Sequence, residues 1–197
     1  ELFPEEEAAL GNAVEKRRRE FVTARACARE ALARLGLAAQ AIPAGPRGEP
    51  LWPQGVVGAI THCTGYRAAA VAAASEWLTI GVDAEADDAL PAGVLGDVAL
   101  AEERRWIEAA TAADPATSWD RLLFSIKESV YKAWFPLTGS WLGFEDASVA
   151  VDREQRTFSA RLLVPGPLVD GRRLGGFSGR WLAAEGLVLS AIAVPAS

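Results

Sequence analysis

Helix, loop and strands occur twice along this chain in the same order, and that doubling restricts the available folds more than any composition figure. Residues 5–35 read as helical. Pro4 sits where a first-turn proline is tolerated, and Glu5, Glu6 and Glu7 favour the positive end of the helix dipole. Apolar residues recur at helical spacing from Ala13 to Leu35, with Gly11 a candidate break and Gly36 a candidate C-terminal cap. Residues 41–55 form a Pro/Gly loop with one charged pair, Arg47 and Glu49. Short apolar runs then predict strands over 56–61, 66–74 and 78–85. The middle one is Ala-rich, and propensity alone leaves it open to helix. A linker covers 86–97, and the boundary between halves falls there, dividing 1–97 from 98–197. The second half repeats the order. Helices are expected over 101–113 and 118–134, with Pro136 ending the second. Strands over 147–151, 157–164, 176–184 and 187–194 follow as a mainly antiparallel sheet, with Glu185-Gly186 a hairpin turn. No sequence repeat at fixed spacing accompanies the doubling.

A chain of 197 residues suits one domain or two tightly packed small ones, and it can bury most of its unfolded surface without staples. Half the residues are apolar and 23% charged, which excludes a disordered or fibrous protein. Two cysteines, Cys27 and Cys63, are too few for a disulfide framework and suit free thiols in a reducing, cytoplasmic compartment. No run approaches the roughly 18 apolar residues of a membrane span. The start, Glu1-Leu2-Phe3-Pro4, is not a signal peptide. The chain contains no Met, so a trimmed N-terminus is expected.

The net charge of −6 argues against a nucleic-acid binder. Its distribution says more. Residues 11–50 carry eight Lys/Arg against four acids, whereas Ala68 to Glu103 holds eight carboxylates and no Lys or Arg. A basic segment followed by an acidic one suits a site for both a polyanion and a divalent metal, although two solvated faces give the same pattern.

Four groups of residues carry candidate chemistry. In Gly81-Val82-Asp83-Ala84-Glu85, strand alternation puts both carboxylates on one face. Two oxygen ligands at a strand end suit Mg²⁺, though an acidic loop entry is the plainer reading. In Phe124-Ser125-Ile126-Lys127-Glu128-Ser129-Val130-Tyr131-Lys132-Ala133-Trp134, Glu128 and Lys132 are i, i+4 neighbours. Glu128 can complete a metal site, Lys132 can reach a phosphate on the same face, and Lys127 flanks them. A surface ion pair is the alternative, and so apolar a helix fits it poorly. Thr61-His62 contains the only histidine, which excludes a zinc site built from several. It is either a structural histidine or a phosphate donor beside the Thr61 hydroxyl. Arg17 and Arg25 lie about 80° apart on a helix and can converge, and Arg47 lies in the Pro/Gly loop. Arginine forks match phosphate geometry.

In this order the four groups resemble the paired signature of the Sfp/EntD-type phosphopantetheinyl transferases. Lys16-Arg17-Arg18-x-Glu20-Phe21, Thr23-Ala24-Arg25, Arg47-Gly48-Glu49-Pro50-x-Trp52-Pro53, Thr61-His62-Cys63-x-Gly65-Tyr66 and Trp141-Leu142-Gly143-Phe144-Glu145-Asp146 are similar to an actinobacterial-like branch. The resemblance covers about residues 11–195 and implies an α+β fold of two pseudo-symmetric halves with the site between them. It implies coenzyme A as donor and Mg²⁺, with Mn²⁺ an alternative. Asp83, Glu85 and Glu128 would hold the metal. Lys132 would contact the diphosphate, with Lys127 nearby, and Arg17, Arg25, Arg47, Thr61 and His62 would contact the phosphates. Ala84 cannot ligate, so a water would stand in for any third polar group.

The implied reaction is attack by a serine of an acyl or peptidyl carrier protein on the β-phosphorus of coenzyme A, with adenosine 3′,5′-bisphosphate leaving. Glu128 is the candidate for the serine proton, and Lys132 for neutralising the leaving phosphate. Fatty-acid, polyketide and nonribosomal peptide carriers all remain open. Residues 95–106, with Leu95, Leu100 and Trp106, are a candidate docking segment. A monomer is expected, because two internal halves already form a site. The rival readings are a non-catalytic coenzyme A-binding protein and a metal-dependent phosphohydrolase.

Overall fold

The apolar helix expected near residue 126 organises the computed structural model, which describes residues 2–8, 10, 11 and 13–196. Positions 1, 9, 12 and 197 lie outside the described residues, and with them the expected helical readings at Ala9 and Asn12. The elements in chain order are α1 (Pro4–Glu7), α2 (Glu15–Arg34), β1 (Val56–Cys63), β2 (Tyr66–Ala73), β3 (Trp77–Ala86), α3 (Val94–Val98), α4 (Ala101–Ala113) and α5 (Trp119–Thr138). A 3₁₀ turn, Phe144–Asp146, precedes β4 (Ala147–Asp152), β5 (Thr157–Leu162), β6 (Leu168–Val169), β7 (Arg172–Arg173), β8 (Gly176–Ala184) and β9 (Leu187–Pro195).

Helix α5 buries Leu122, Leu123, Ile126 and Val130 completely. Each such side chain contributes roughly 1.5–3 kcal/mol. The helix lies on a five-stranded antiparallel sheet of order β3-β9-β8-β5-β4. Trp119, Phe158, Phe177, Trp181 and Ile192 complete this core. Strand β3, from the first half of the chain, pairs along its length with β9, the last strand. A strand from the first half of the sequence is thereby built into the sheet of the second. Strands β1 and β2 form a separate antiparallel hairpin. Helix α2 packs near it through a smaller core of Ala28, Leu32 and Ile42, with Trp52 and Val71 against them.

Local signals explain most boundaries. Helix α2 ends in a Schellman motif: the Gly36 N–H donates to Ala33 and the Leu37 N–H to Leu32, with Gly36 at φ +78°. Glu185 and Gly186 both take positive φ, as a type I′ hairpin turn requires.

Two expectations change. Helix α5 runs through Pro136 to Thr138, because the proline falls in the last turn, and Gly139 closes the helix by donating to the Phe135 carbonyl at 2.8 Å. The 86–97 linker contains α3. A short β6–β7 hairpin also lies between β5 and β8, turned by Asp170-Gly171 between Val169 and Arg172, a two-residue turn signal.

Candidate active site

Residues at alternate positions of β3 meet α5. Thr79 donates to the Ala133 carbonyl at 2.9 Å. A Cβ on Gly81 would run into the Ser129 carbonyl oxygen, so glycine is what lets the helix lie this close. Asp83 meets Lys132, with Nζ 2.7 Å from Oδ1, and Glu85 meets Arg121 at 3.4 Å. The two carboxylates thus share the α5 side of β3.

Two donors hold one oxygen of Asp83. Lys132 and the Thr61 hydroxyl, at 3.2 Å, both donate to its Oδ1, and the Thr61 oxygen accepts from the Ala84 N–H at 2.9 Å. Its other oxygen, Oδ2, is buried without a hydrogen-bond partner. Burial pushes the Glu128 carboxyl above the usual range, the Asp83 charge adds to this, and Lys132 opposes it. Burial likewise raises Glu85, followed by Asp83, with Arg121 and Lys132 opposing and Glu128 adding. Glu85 and Glu128 thus both feel the Asp83 charge.

Among the described residues, no group of three His, Cys, Asp or Glu side chains is placed to hold a metal ion. The expected set is therefore not a ready-made cage, and Lys132 and Arg121 each pair with one of its acids. The donor chemistry still fits a hard cation. A buried, unpartnered carboxylate oxygen beside two carboxyls that resist ionisation is relieved by a divalent ion.

A cleft of about 800 Å³ reaches this cluster at Glu128 and Lys132. Glu128, Tyr131, Lys132 and Phe135 line it from α5 at helical spacing, and Arg17, Arg25, Arg47 and His62 line it from the first half. Its cations crowd one another. Burial lowers Arg25, Glu6 opposes, and Arg29 and Arg17 lower it further. One guanidinium nitrogen of Arg25, Nη2, is buried without a hydrogen-bond partner. Burial also lowers His62, against Glu20, with Arg17, Lys132 and Arg67 adding. A pocket whose walls repel one another through positive charge is prepared for a polyanion.

Four expected residues do not line the cleft: Asp83 and Glu85, which lie on β3, and Lys127 and Thr61. Lys127 is 3% exposed, and its ammonium is consumed by Glu103 Oε2 at 2.7 Å, the Val98 carbonyl at 2.9 Å and the Phe144 carbonyl at 2.6 Å. Three donors and three acceptors leave nothing for a phosphate. The Thr61 hydroxyl is likewise taken up in fixing Asp83. In the expected docking segment, Trp106 and Leu95 are partly buried and pack against the main core.

Two residues were missed. Arg121 binds Glu85 and also donates to the Asp88 and Ala89 carbonyls. Tyr131 stands between the Arg47 loop and Glu128, whose charges act on its hydroxyl alongside the burial that raises it. Its place three residues after Glu128 was the available signal.

A cationic pocket joined to a carboxylate cluster suits a protein that handles a phosphate-bearing ligand. Sequence comparison makes the class specific. A model of the 4′-phosphopantetheinyl transferase N-terminal domain matches residues 5–72, and one of the 4′-phosphopantetheinyl transferase superfamily matches residues 79–169. The 4′-phosphopantetheinyl transferase Svp of Streptomyces mobaraensis is 58% identical over 99% of this chain and 79% of its own length. The transferase Npt of Nocardia iowensis is 52% identical over 96% and 88%, and PptT of Mycobacterium tuberculosis is 45% identical over 96% and 85%. The chain belongs to the 4′-phosphopantetheinyl transferase superfamily. It is a transferase that moves the phosphopantetheine group of coenzyme A to carrier proteins.

Proposed function

We propose that Asp83, Glu85 and Glu128 hold a divalent ion, Mg²⁺ or Mn²⁺, and that the cleft beside them binds coenzyme A for transfer to a carrier serine. The observation that carries this is the continuity of the site: one cleft has Arg17, Arg25, Arg47 and His62 at its basic end and Glu128 and Lys132 at the other. When bound, the ion supplies charge neutralisation for the diphosphate.

The chain's own residues supply the rest. Arg17, Arg25, Arg47 and His62 fix the adenosine phosphates. Lys132 neutralises the phosphate that departs, and it is held in place by Asp83 and the Val82 carbonyl. Glu128 accepts the serine proton as the serine oxygen forms its bond to the β-phosphorus. The phosphorus–oxygen bond to adenosine 3′,5′-bisphosphate breaks in the same displacement. Positioning and charge do most of the work in such a transfer. Lys127 and Thr61 act at one remove, the first by anchoring α5 and the second by orienting Asp83.

The carriers are acyl or peptidyl carrier domains of fatty-acid, polyketide or nonribosomal peptide synthesis. The protein works as a monomer in the cytoplasm, the compartment its two free cysteines suit. The test is intact mass of an apo carrier after incubation with coenzyme A and Mg²⁺. The expected result is a gain of about 340 Da per modified serine, abolished by a chelator and restored by Mg²⁺ or Mn²⁺. Steady bisphosphate release without a carrier would instead establish a phosphohydrolase. Coenzyme A binding with no mass gain on any carrier would establish a non-catalytic binder.

A further inference from the structure

Helix α1 has only four residues, too few to persist in isolation, yet it delivers a completely buried acid to the interior. The Glu6 carboxylate accepts from Arg29 Nη1 at 2.7 and 2.8 Å and from the Phe3 N–H at 3.0 Å. Its Oε1 also accepts the Ile42 N–H at 2.9 Å. Ile42 is held from its other side too, because its carbonyl accepts Arg25 Nε at 2.7 Å. Arg25 lies over the Phe21 ring at 4.3 Å and keeps Nη2 buried and unpartnered in the wall of the cleft. Ile42 is also the root of the loop that carries Arg47. The next residue, Pro43, accepts from the Leu51 N–H at 2.9 Å, and Ala44 bridges Pro50 to close the loop.

A chain of contacts therefore runs from the first turn of the protein to the basic end of the cleft. We infer that Glu6 is a positioning residue for phosphate binding: it fixes Ile42, and Ile42 aims Arg25 and seats the Arg47 loop. This rests on the reading that Arg25 contacts a phosphate of coenzyme A. Glu6 itself touches no substrate, and it lies well away in sequence from every residue that does the chemistry.

The experiment is a double-mutant cycle between Glu6 and Arg25, read by calorimetric binding of adenosine 3′,5′-bisphosphate. Arg25→Ala weakens binding about tenfold or more. Glu6→Ala weakens it about tenfold, and in the Arg25→Ala background adds less than about twofold, because its effect passes through that arginine. KM for coenzyme A rises with it while KM for the carrier does not. A residue that only stabilised the fold would lower the melting temperature without this coupling. Should Glu6→Ala fail to fold, Glu6→Gln keeps an acceptor for the Ile42 N–H and shows the same coupling with a loss of about threefold. Wild-type affinity in a folded Glu6 variant, or full multiplication of the two losses, overturns the inference. An Arg25→Ala variant with unchanged affinity is a different failure: it removes Arg25 from the phosphate site, and the inference falls with it.

Discussion

Helix α5 carries two lysine–carboxylate pairs of equal length, Lys127–Glu103 and Lys132–Asp83, both at 2.7 Å. They differ in what else each partner touches. Lys127 and Glu103 are closed: the ammonium has two further carbonyl acceptors, and Glu103 also accepts the Leu100 and Val149 N–H groups. Lys132 and Asp83 are open: the lysine side chain is 26% exposed at the cleft, and one Asp83 oxygen has no partner. The closed pair clamps α4, α5 and β4 together. The open pair retains capacity for a ligand. Satisfaction of every donor and acceptor, more than burial or charge, separates a structural ion pair from a reactive one.

Breaking the closed pair has the largest expected effect. Lys127→Met leaves Glu103 buried and uncompensated and costs about 3–5 kcal/mol in denaturant unfolding. A loss no greater than that of a surface lysine would erase the distinction. Breaking the open pair moves activity more than stability. Lys132→Met lowers kcat about a hundredfold and removes less than half the stability that Lys127→Met removes. At the basic end of the cleft, Arg17→Ala and Arg47→Ala each raise KM for coenzyme A about tenfold, with a smaller fall in kcat. A dominant fall in kcat would move these arginines into the chemistry.

The smallest effect is read at His62, whose single imidazole resonance can be followed without assignment. Burial holds it below the ordinary histidine value, so the unfolded chain binds a proton where the fold does not. This group therefore withdraws stability as pH falls below about 6.5. Adding adenosine 3′,5′-bisphosphate should raise the titration midpoint, because a nearby phosphate favours the imidazolium. An unmoved midpoint places His62 away from any phosphate.

The sequence was most legible where periodicity carries the message. The apolar stripe of α5, the shared face of Asp83 and Glu85, and the Gly36 and Glu185-Gly186 signals all depend on neighbours within a few residues. What it hid depends on partners far along the chain. The role of Lys127 follows from Glu103, Val98 and Phe144, which no spacing rule links to it. Glu6 read as one of three acids favouring a helix dipole, and only the fold shows it holding Ile42, 36 residues away. The pairing of β3 with β9 joins strands more than a hundred residues apart. Pro136 misled because its cost depends on helix position: in the last turn it forfeits one bond without stopping the chain.

The most direct test of the central claim is the rate at which folded Glu128→Gln modifies an apo carrier, followed by intact mass beside the wild type at saturating coenzyme A and Mg²⁺. The account predicts near-complete loss of carrier modification with the unfolding midpoint preserved. Modification at close to the wild-type rate would contradict it, because the cleft-lining carboxylate that feels both Asp83 and Lys132 would then have no part in the transfer.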